Sequence, residues 1–457
     1  MFLETIRSEG LAHLSYIIGD KGKAAVIDPR RDCDIYRDIA YQHDTQITHI
    51  FETHRNEDYL IGSKELAHQT GAEIYHSKHL PFQYGNPVSE GDCFLLGNCI
   101  LRILETPGHT YDSISIILAD KKFSTRDPIA VFTGDALFIG DVGRTDFFPD
   151  KPEEVADLLY NSIFKKLLPM GDQVIIHPAH GAGSVCGAGI ASRDFSTLGY
   201  ERKYNPILQK NRDEFIRHKV NEHHYKPPYF KRMHRLNQEG APLLKNLPKP
   251  APGNVEEFDK TAMNEEMIIL DVRSPEAFAG AYIPGSIAIP LEMVPSFAGW
   301  FLPYDKPIGL IVDGYDQVET AVRYLIRIGY DTIFGYLEKG VHKWEISGRK
   351  YESIPTVYAG EIIRRINTKE DFTLLDVRSK EEFERGHLPN AVNVYVGELP
   401  DNLDKIPGDH HPLTVFCSTG KRATIAASLL KKNGFEEVEN WLGSMTACSA
   451  IGCPIVT

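Results

Sequence analysis

The 457-residue sequence predicts an α/β protein of several domains. Three observations predict it. Short apolar runs alternate with helical patterns along the chain, as in sheets covered by helices. The segment "NLPKPAPGNV", residues 246–255, has no hydrophobic period and is punctuated by Pro and Gly, so it divides the chain. Beyond it the sequence repeats. "IILDVRSPEAFAGAYIPGSIAIP" (268–290) and "TLLDVRSKEEFERGHLPNAVNV" (373–394) match at an offset of 105 residues, which fits two related domains of about 100 residues each. The expected division is 1–245, 255–352 and 356–457.

Composition narrows the function. A hydrophobic fraction of 42% with 25% charged residues is ordinary for soluble globular protein. The N-terminus shows no basic stretch followed by an apolar one, and no later apolar run approaches the roughly 20 residues of a membrane helix. A cytoplasmic location and no membrane partner are expected. The net charge of −13 leaves no basic face for nucleic acid or anionic lipid, so a small molecule is the expected ligand. Cys33, Cys93, Cys99, Cys186, Cys417, Cys448 and Cys453 are scattered, odd in number and lack C-x-x-C spacing. Free thiols are expected, in neither a disulfide framework nor a zinc ribbon.

In the first 245 residues, "LSYIIGD", "KAAVIDP", "THIFETH", "CILRILETPGH", "SISIILAD", "IAVFTGDALF" and "DQVIIHPAHG" read as strands, with helical patterns at 58–70 and 152–168. His54, His109, Asp135 and His180 fall where apolar runs end. Strand ends and the loops after them are where a sheet presents chemistry. A lone histidine there is more often a hydrogen-bonded structural residue than a ligand.

Together, "ETH" ending at His54, "TPGHT" around His109, "GDALF" around Asp135 and "HPAHG" around His180 resemble the metallo-β-lactamase family over residues 1–245. The resemblance implies an αββα sandwich with metal at one edge. In the two-metal hydrolases of that fold, the glyoxalase II type, the motif H-x-H-x-D-H feeds both metals. This chain has His54, Asn56, Asp58 and Tyr59 at those places, so each site loses one imidazole. His54, His109 and Asp135 survive. Two imidazoles and one carboxylate leave about three positions open, which suits Fe(II) taking a substrate and O2 together.

The persulfide dioxygenases of the fold agree, since the resemblance implies one iron at these three positions. Zinc in a thioester hydrolase of glyoxalase II type, and a catalytically dead domain attached to an active sulfurtransferase, stand as the alternatives. Asp58 and His180 are assigned beside the metal, orienting its ligands or water; Asp58 has a second reading as N-cap of the following helix. His177 reads as structural. "FIGDVGRTDFF" (138–148) resembles the segment lining the thiol pocket in the dioxygenases. There Arg144 would grip a carboxylate of the substrate, or else form a salt bridge with Asp141 or Asp146. "STLGYERKYNP" (196–206) adds Tyr200, Arg202 and Asn205 as pocket residues, and "NEHH" (221–224) reads as solvated helix.

In the second repeat "LTVFC" (413–417) reads as a buried strand, "STGK" as a tight loop and "RATIAASLLKKNG" as a helix closed by Gly434. Cys417 therefore precedes a helix N-terminus, with Lys421 and Arg422 close behind; each feature favours the thiolate that attacks a sulfane sulfur. The repeat resembles the rhodanese family, whose Cys-x4-Arg loop matches Cys417 to Arg422, whereas phosphatases of related architecture use Cys-x5-Arg. The first copy reads "LIVDGYDQVETAV", with Asp313 in place of the cysteine and no cation after it. A carboxylate cannot carry a persulfide, so that copy is expected to be a scaffold. Asp271 with Arg273, and Asp376 with Arg378, recur in both copies and read as braces. The whole chain resembles persulfide dioxygenase-rhodanese fusions. That resemblance implies O2-dependent oxidation of a thiol persulfide, of glutathione, coenzyme A or a similar carrier, with sulfite and thiosulfate as sulfur partners; homodimers are common in such proteins.

Overall fold

Every residue of the strand His13–Asp20 is buried, and the same holds for Ile114–Asp120 and Ala130–Gly134. Strands buried on both faces must lie between layers, and the computed structural model, which describes residues 1–187, 189–407 and 412–457, shows those layers. One six-stranded sheet takes β1 (Phe2–Ser8), β2 (His13–Asp20), β3 (Lys23–Ile27), β4 (Gln46–Phe51), β5 (Glu73–Ser77) and β6 (Asn86–Val88) in that order. The other runs from β7 (Cys93–Leu96) through β8 (Cys99–Glu105), β9 (Ile114–Asp120), β10 (Ala130–Gly134) and β11 (Ile175–Pro178) to β12 (Ser196–Thr197).

Alternation along the strands sorts their side chains between cores. Tyr16, Ile18, Ile27 and Phe51 meet Leu101, Ile103, Ile116 and Phe132 between the sheets. Ile17, Val26 and Ile50, one residue out of step, pack outward against Tyr36 and Ile39 of the helix Asp34–Gln42 and Leu66 of the helix Ser63–Thr70. Val131 and Ile176 pack outward on the other side against Leu159, Ile163 and Phe215. The result is the expected αββα sandwich.

The chain divides into two compact units, Met1–Leu247 with Ile326–Gly329, and Pro248–Leu325 with Tyr330–Thr457, so the break falls inside the Pro- and Gly-rich segment. Each repeat in the second unit forms a parallel sheet. The first orders β13 (Ile268–Asp271), β14 (Ile287–Ala288), β15 (Ile308–Ile311) and β16 (Ile333–Leu337) as β14-β13-β15-β16. The second orders β17 (Thr356–Val357), β18 (Thr373–Asp376), β19 (Val392–Asn393), β20 (Leu413–Phe416) and β21 (Val438–Trp441) as β17-β21-β20-β18-β19. The braces are as expected: Arg273 and Arg378 chelate Asp271 and Asp376 and donate on to the carbonyls of Ala281 and Gly386.

Four expectations are corrected. The helix placed at 58–70 starts at Ser63 with Gly62 at its N-cap, so Asp58 caps nothing. The helix Arg212–Asn221 ends one residue into "NEHH", because Glu222 turns its carboxylate to His218, Lys219 and His224. The helix from Pro152 widens to a π-turn at Ser162–Leu167 and tightens at Leu168–Met170. Cys448 and Cys453 pair as a disulfide; the other five cysteines are free. Among the described residues no helix is long and apolar enough to cross a membrane.

Candidate metal centre and sulfurtransfer loop

Strands β4, β8, β10 and β11 deliver His54, His109, Asp135 and His180 to one place, each just past a strand end. The backbone turns sharply there. Gly134 has φ +54°, and a Cβ on it would stand 2.9 Å from the Thr53 side chain, so only glycine lets the end of β10 approach the loop after β4.

His54, His109 and Asp135 are buried, with one donor atom from each within 4.8 Å of the others. Their neighbours fix which atom that is. Thr53 Oγ1 donates to Asp28 Oδ2 at 2.7 Å, so it can only accept from His54 Nδ1, at 3.0 Å. His109 Nδ1 donates to the Arg144 carbonyl at 3.0 Å. Both rings turn Nε2 toward Asp135 Oδ2, at 3.8 Å from His54 and 3.5 Å from His109. His109 Nε2 is buried with no hydrogen-bond partner. Two imidazole nitrogens and a carboxylate oxygen converging in a buried site are a donor set that fits a metal ion.

His180 and Asp58 lie next to Asp135. His180 Nδ1 lies 2.8 Å from Asp135 Oδ1, and its Nε2 lies 3.0 Å from Asp58 Oδ2. Burial alone would lower its pKa, but the two carboxylates outweigh burial and raise it well above the usual histidine value. In return the Asp135 carboxyl, which burial would push up, is held well below its ordinary range by His180 and the two other histidines. The ring thus bridges the two carboxylates, one nitrogen facing each.

The pocket residues are placed differently. The Arg144 guanidinium is buried, donates to both oxygens of Asp146 at 2.6 and 2.8 Å, and reaches the carbonyls of Val185 and Tyr225. It is bound to the protein itself, and its carbonyl orients His109. Asn205 is likewise buried and spent on the Asp141 carbonyl and Glu201. Arg202 ties to Asp172 and the Leu168 carbonyl. All three brace the fold. Tyr200 is exposed under the Arg193 guanidinium, 4.2 Å away. Burial pushes the Asp146 carboxyl up, but Arg144 outweighs it and brings the pKa down to about 2. A folded pKa below the unfolded value of 3.8 gives stability that is present above pH 4 and lost as pH falls through about 2, worth about 2 kcal/mol. Arg144→Ala should therefore cost about 3 kcal/mol at pH 7 and less near pH 2, measured by urea unfolding at both.

Four residues were not singled out in the sequence. Glu57 is fully buried, 3.0 Å from His109 Nε2. Cys186 joins Asp58 and His180 in a second cluster, its thiol pushed up by burial and then by the nearby carboxylates. Asn237 Nδ2 donates to the carbonyls of Asn56 and Tyr59 and so shapes the loop after β4. The fourth, Glu382, belongs to the other site. A cavity of about 440 Å³, lined by Arg7, His13, Ile139 and His180 among others, reaches the site at His180.

In the second repeat Cys417 directly follows β20, buried, and its sulfur accepts the Gly420 N–H at 3.1 Å. Both loop cations are already matched, which the sequence does not show. Lys421 meets Glu292 of the first repeat at 2.5 Å. Arg422 lies 2.6 and 2.8 Å from the two oxygens of Glu382, and Ser418 joins them. Burial would raise the Glu382 pKa; Arg422 instead holds it at about 2. The first repeat has lost the whole constellation, with Ala277, Asp313, Gln317 and Val318 where the second has Glu382, Cys417, Lys421 and Arg422. Glu382→Gln should slow sulfur transfer from thiosulfate to cyanide about tenfold, because a charge-assisted bidentate pair worth 1.5–3 kcal/mol is lost from the loop.

Comparison with known proteins follows this division. Residues 9–180 match the Metallo-beta-lactamase superfamily, and residues 254–347 and 359–450 each match the Rhodanese-like domain. Hydroxyacylglutathione hydrolase GloC of Haemophilus influenzae is 31% identical over 216 residues, 42% of this chain and 91% of that protein. Persulfide dioxygenase ETHE1 of Mus musculus is 28% identical over 211 residues, 44% of this chain and 74% of that protein. The crystal structure of a metallo-beta-lactamase from Staphylococcus aureus subsp. aureus COL superposes with a TM-score of 0.66 at 33% identity, over 74% of this chain and 99% of that one.

Proposed function

Since the chain belongs to the metallo-β-lactamase superfamily and carries two rhodanese-like domains behind that fold, we propose that it is an enzyme of sulfur metabolism: an iron-dependent persulfide dioxygenase joined to a Cys417 sulfurtransferase. In the first reaction a thiol persulfide, O2 and water give the thiol, sulfite and two protons. The terminal sulfur loses four electrons and O2 gains them. In the second, the Cys417 thiolate attacks the sulfane sulfur of thiosulfate and releases sulfite, or the resulting persulfide is returned to sulfite. The observation that carries the proposal is the meeting of two Nε2 atoms and one carboxylate, with Asn56 and Tyr59 standing where the two-metal hydrolases have imidazoles.

His54, His109 and Asp135 would hold the ion. Ferrous iron, when bound, supplies open positions for the persulfide sulfur and O2 and exchanges electrons with them. The other residues prepare the site. Thr53, through Asp28, and the Arg144 carbonyl keep the two rings in the tautomer that leaves Nε2 free. His180 keeps Asp135 ionised and aimed. The cavity beside His180 gives a thiol carrier its way in, with Arg7 at its wall. The first rhodanese-like repeat is a scaffold, supplying Glu292 to Lys421.

A second reading, hydrolysis of a glutathione thioester on zinc, draws on the 31% identity to the hydroxyacylglutathione hydrolase. One comparison separates the two. Protein loaded anaerobically with Fe(II) should consume O2 with glutathione persulfide and form sulfite, and zinc-loaded protein should not cleave S-lactoylglutathione. Thioester cleavage without O2 uptake would reverse the assignment.

A further inference from the structure

Resting on the Cys417 sulfurtransferase reading above, we propose that Glu292 of the first rhodanese-like repeat is a specificity residue for that reaction. By cancelling the charge of Lys421 it disfavours dianionic sulfur donors against monoanionic ones.

Residues 291–301 of the first repeat reach the rim of the sulfurtransfer loop at two points. Glu292 Oε1 lies 2.5 Å from Lys421 Nζ. Eight residues on, the Trp300 ring stands edge-on to Tyr395, with centroids 5.9 Å apart, and Tyr395 in turn interacts electrostatically with Arg422. A Cβ on Gly397 would stand 2.9 Å from the Trp300 ring, so glycine is what admits the indole there. At the 105-residue offset between the repeats, Gly397 is the counterpart of Glu292. The second repeat therefore has no carboxylate of its own at that place and receives one from the first.

The consequence is electrostatic. Arg422 is spent on Glu382, in a group completed by Ser418. With Lys421 matched as well, the two cations after Cys417 bring no net charge to the loop. What they leave for an incoming donor is dipolar: the Gly420 N–H at the Cys417 sulfur and the first turn of the helix Lys421–Lys432. Burial would raise the Glu292 pKa, but Lys421 outweighs it and lowers the value, so the carboxylate is ionised at neutral pH. Both partners are half-exposed, and a pair of that kind contributes little to stability. Its effect is on the field over the loop. A fixed charge acts on a donor in proportion to the donor's own charge, so the carboxylate opposes a dianion about twice as strongly as a monoanion.

The test is steady-state sulfur transfer to cyanide by the full chain, from thiosulfate, a dianion, and from methanethiosulfonate, a monoanion. With either donor the Cys417 thiolate bonds to the sulfane sulfur, the donor's S–S bond breaks, and sulfite or methanesulfinate leaves with the electron pair. Cyanide then takes the sulfur as thiocyanate and restores the thiolate. At low ionic strength Glu292→Gln should lower KM about fivefold for thiosulfate and about twofold for methanethiosulfonate, with kcat moved less than about twofold. The gap should close in about 0.5 M salt, as screening predicts. Lys421→Met, which leaves Glu292 unmatched, should raise KM more for thiosulfate than for methanethiosulfonate. In Glu292→Gln, a KM that is unchanged or that shifts equally for the two donors, or an effect confined to kcat, would overturn the specificity role and leave the sulfurtransferase standing. Failure of the wild-type chain to form thiocyanate from either donor would overturn both.

Discussion

His109→Ala should abolish iron retention and cut O2 uptake with glutathione persulfide by about 1,000-fold, beyond the 10–100-fold that loss of an outer partner of a metal ligand costs. Removing this ring does more than delete a donor. It leaves the Arg144 carbonyl without the N–H it accepts and brings the Asp135 and Glu57 carboxylates together without the ring between them. An unsatisfied buried carbonyl costs about 1–3 kcal/mol, so the variant should also unfold at lower urea. Sulfur transfer by Cys417 should be unchanged, because the two sites lie in separately packed units. Iron content by metal analysis, O2 uptake at an electrode and the sulfurtransfer rate are read on one preparation. Full O2 uptake without His109 would remove the three-residue centre from the mechanism.

What the sequence made legible was the part encoded locally. His54, His109 and Asp135 follow apolar runs whose period marks them as strands, and the fold brings those strand ends together. The αββα sandwich and the repeated sheets are likewise written in alternation and in an offset of 105 residues. Glu57 was illegible because its burial depends on Asn237, which grips the loop from 181 residues away. Read alone, "RNEDYLIGS" offers an acidic helix start, and a helix from Asp58 was the local answer; long-range hydrogen bonds to Asn56, Tyr59 and Ile61 hold that stretch as loop until Ser63. Arg144 kept two readings in the sequence for a related reason. Its bidentate geometry suits a substrate carboxylate and Asp146 equally well, and what decides is the pair of carbonyls contributed by Val185 and Tyr225, distant in sequence. The disulfide between Cys448 and Cys453 escaped because spacing arguments look for frameworks, and one pair five residues apart makes none.

Cys417→Ser should reduce thiosulfate sulfurtransfer by at least about 1,000-fold and leave O2 uptake with glutathione persulfide in place, since a hydroxyl neither ionises at neutral pH nor forms a persulfide. Stability should change little, as serine is close in size and the Gly420 N–H can still find an oxygen. The converse substitution tests why one repeat is active and the other is not. Asp313→Cys restores a thiol to the first repeat, but Ala277 and Val318 stand where Glu382 and Arg422 brace the loop. Placed on the Cys417→Ser background, it should transfer no sulfur from thiosulfate. Adding Ala277→Glu and Val318→Arg restores the carboxylate and guanidinium that hold Ser418 and the loop in the second repeat. If that triple change recovers transfer where the cysteine alone does not, the chemistry belongs to the braced loop; recovery by Asp313→Cys alone would show that the thiol suffices and that Glu382 is dispensable.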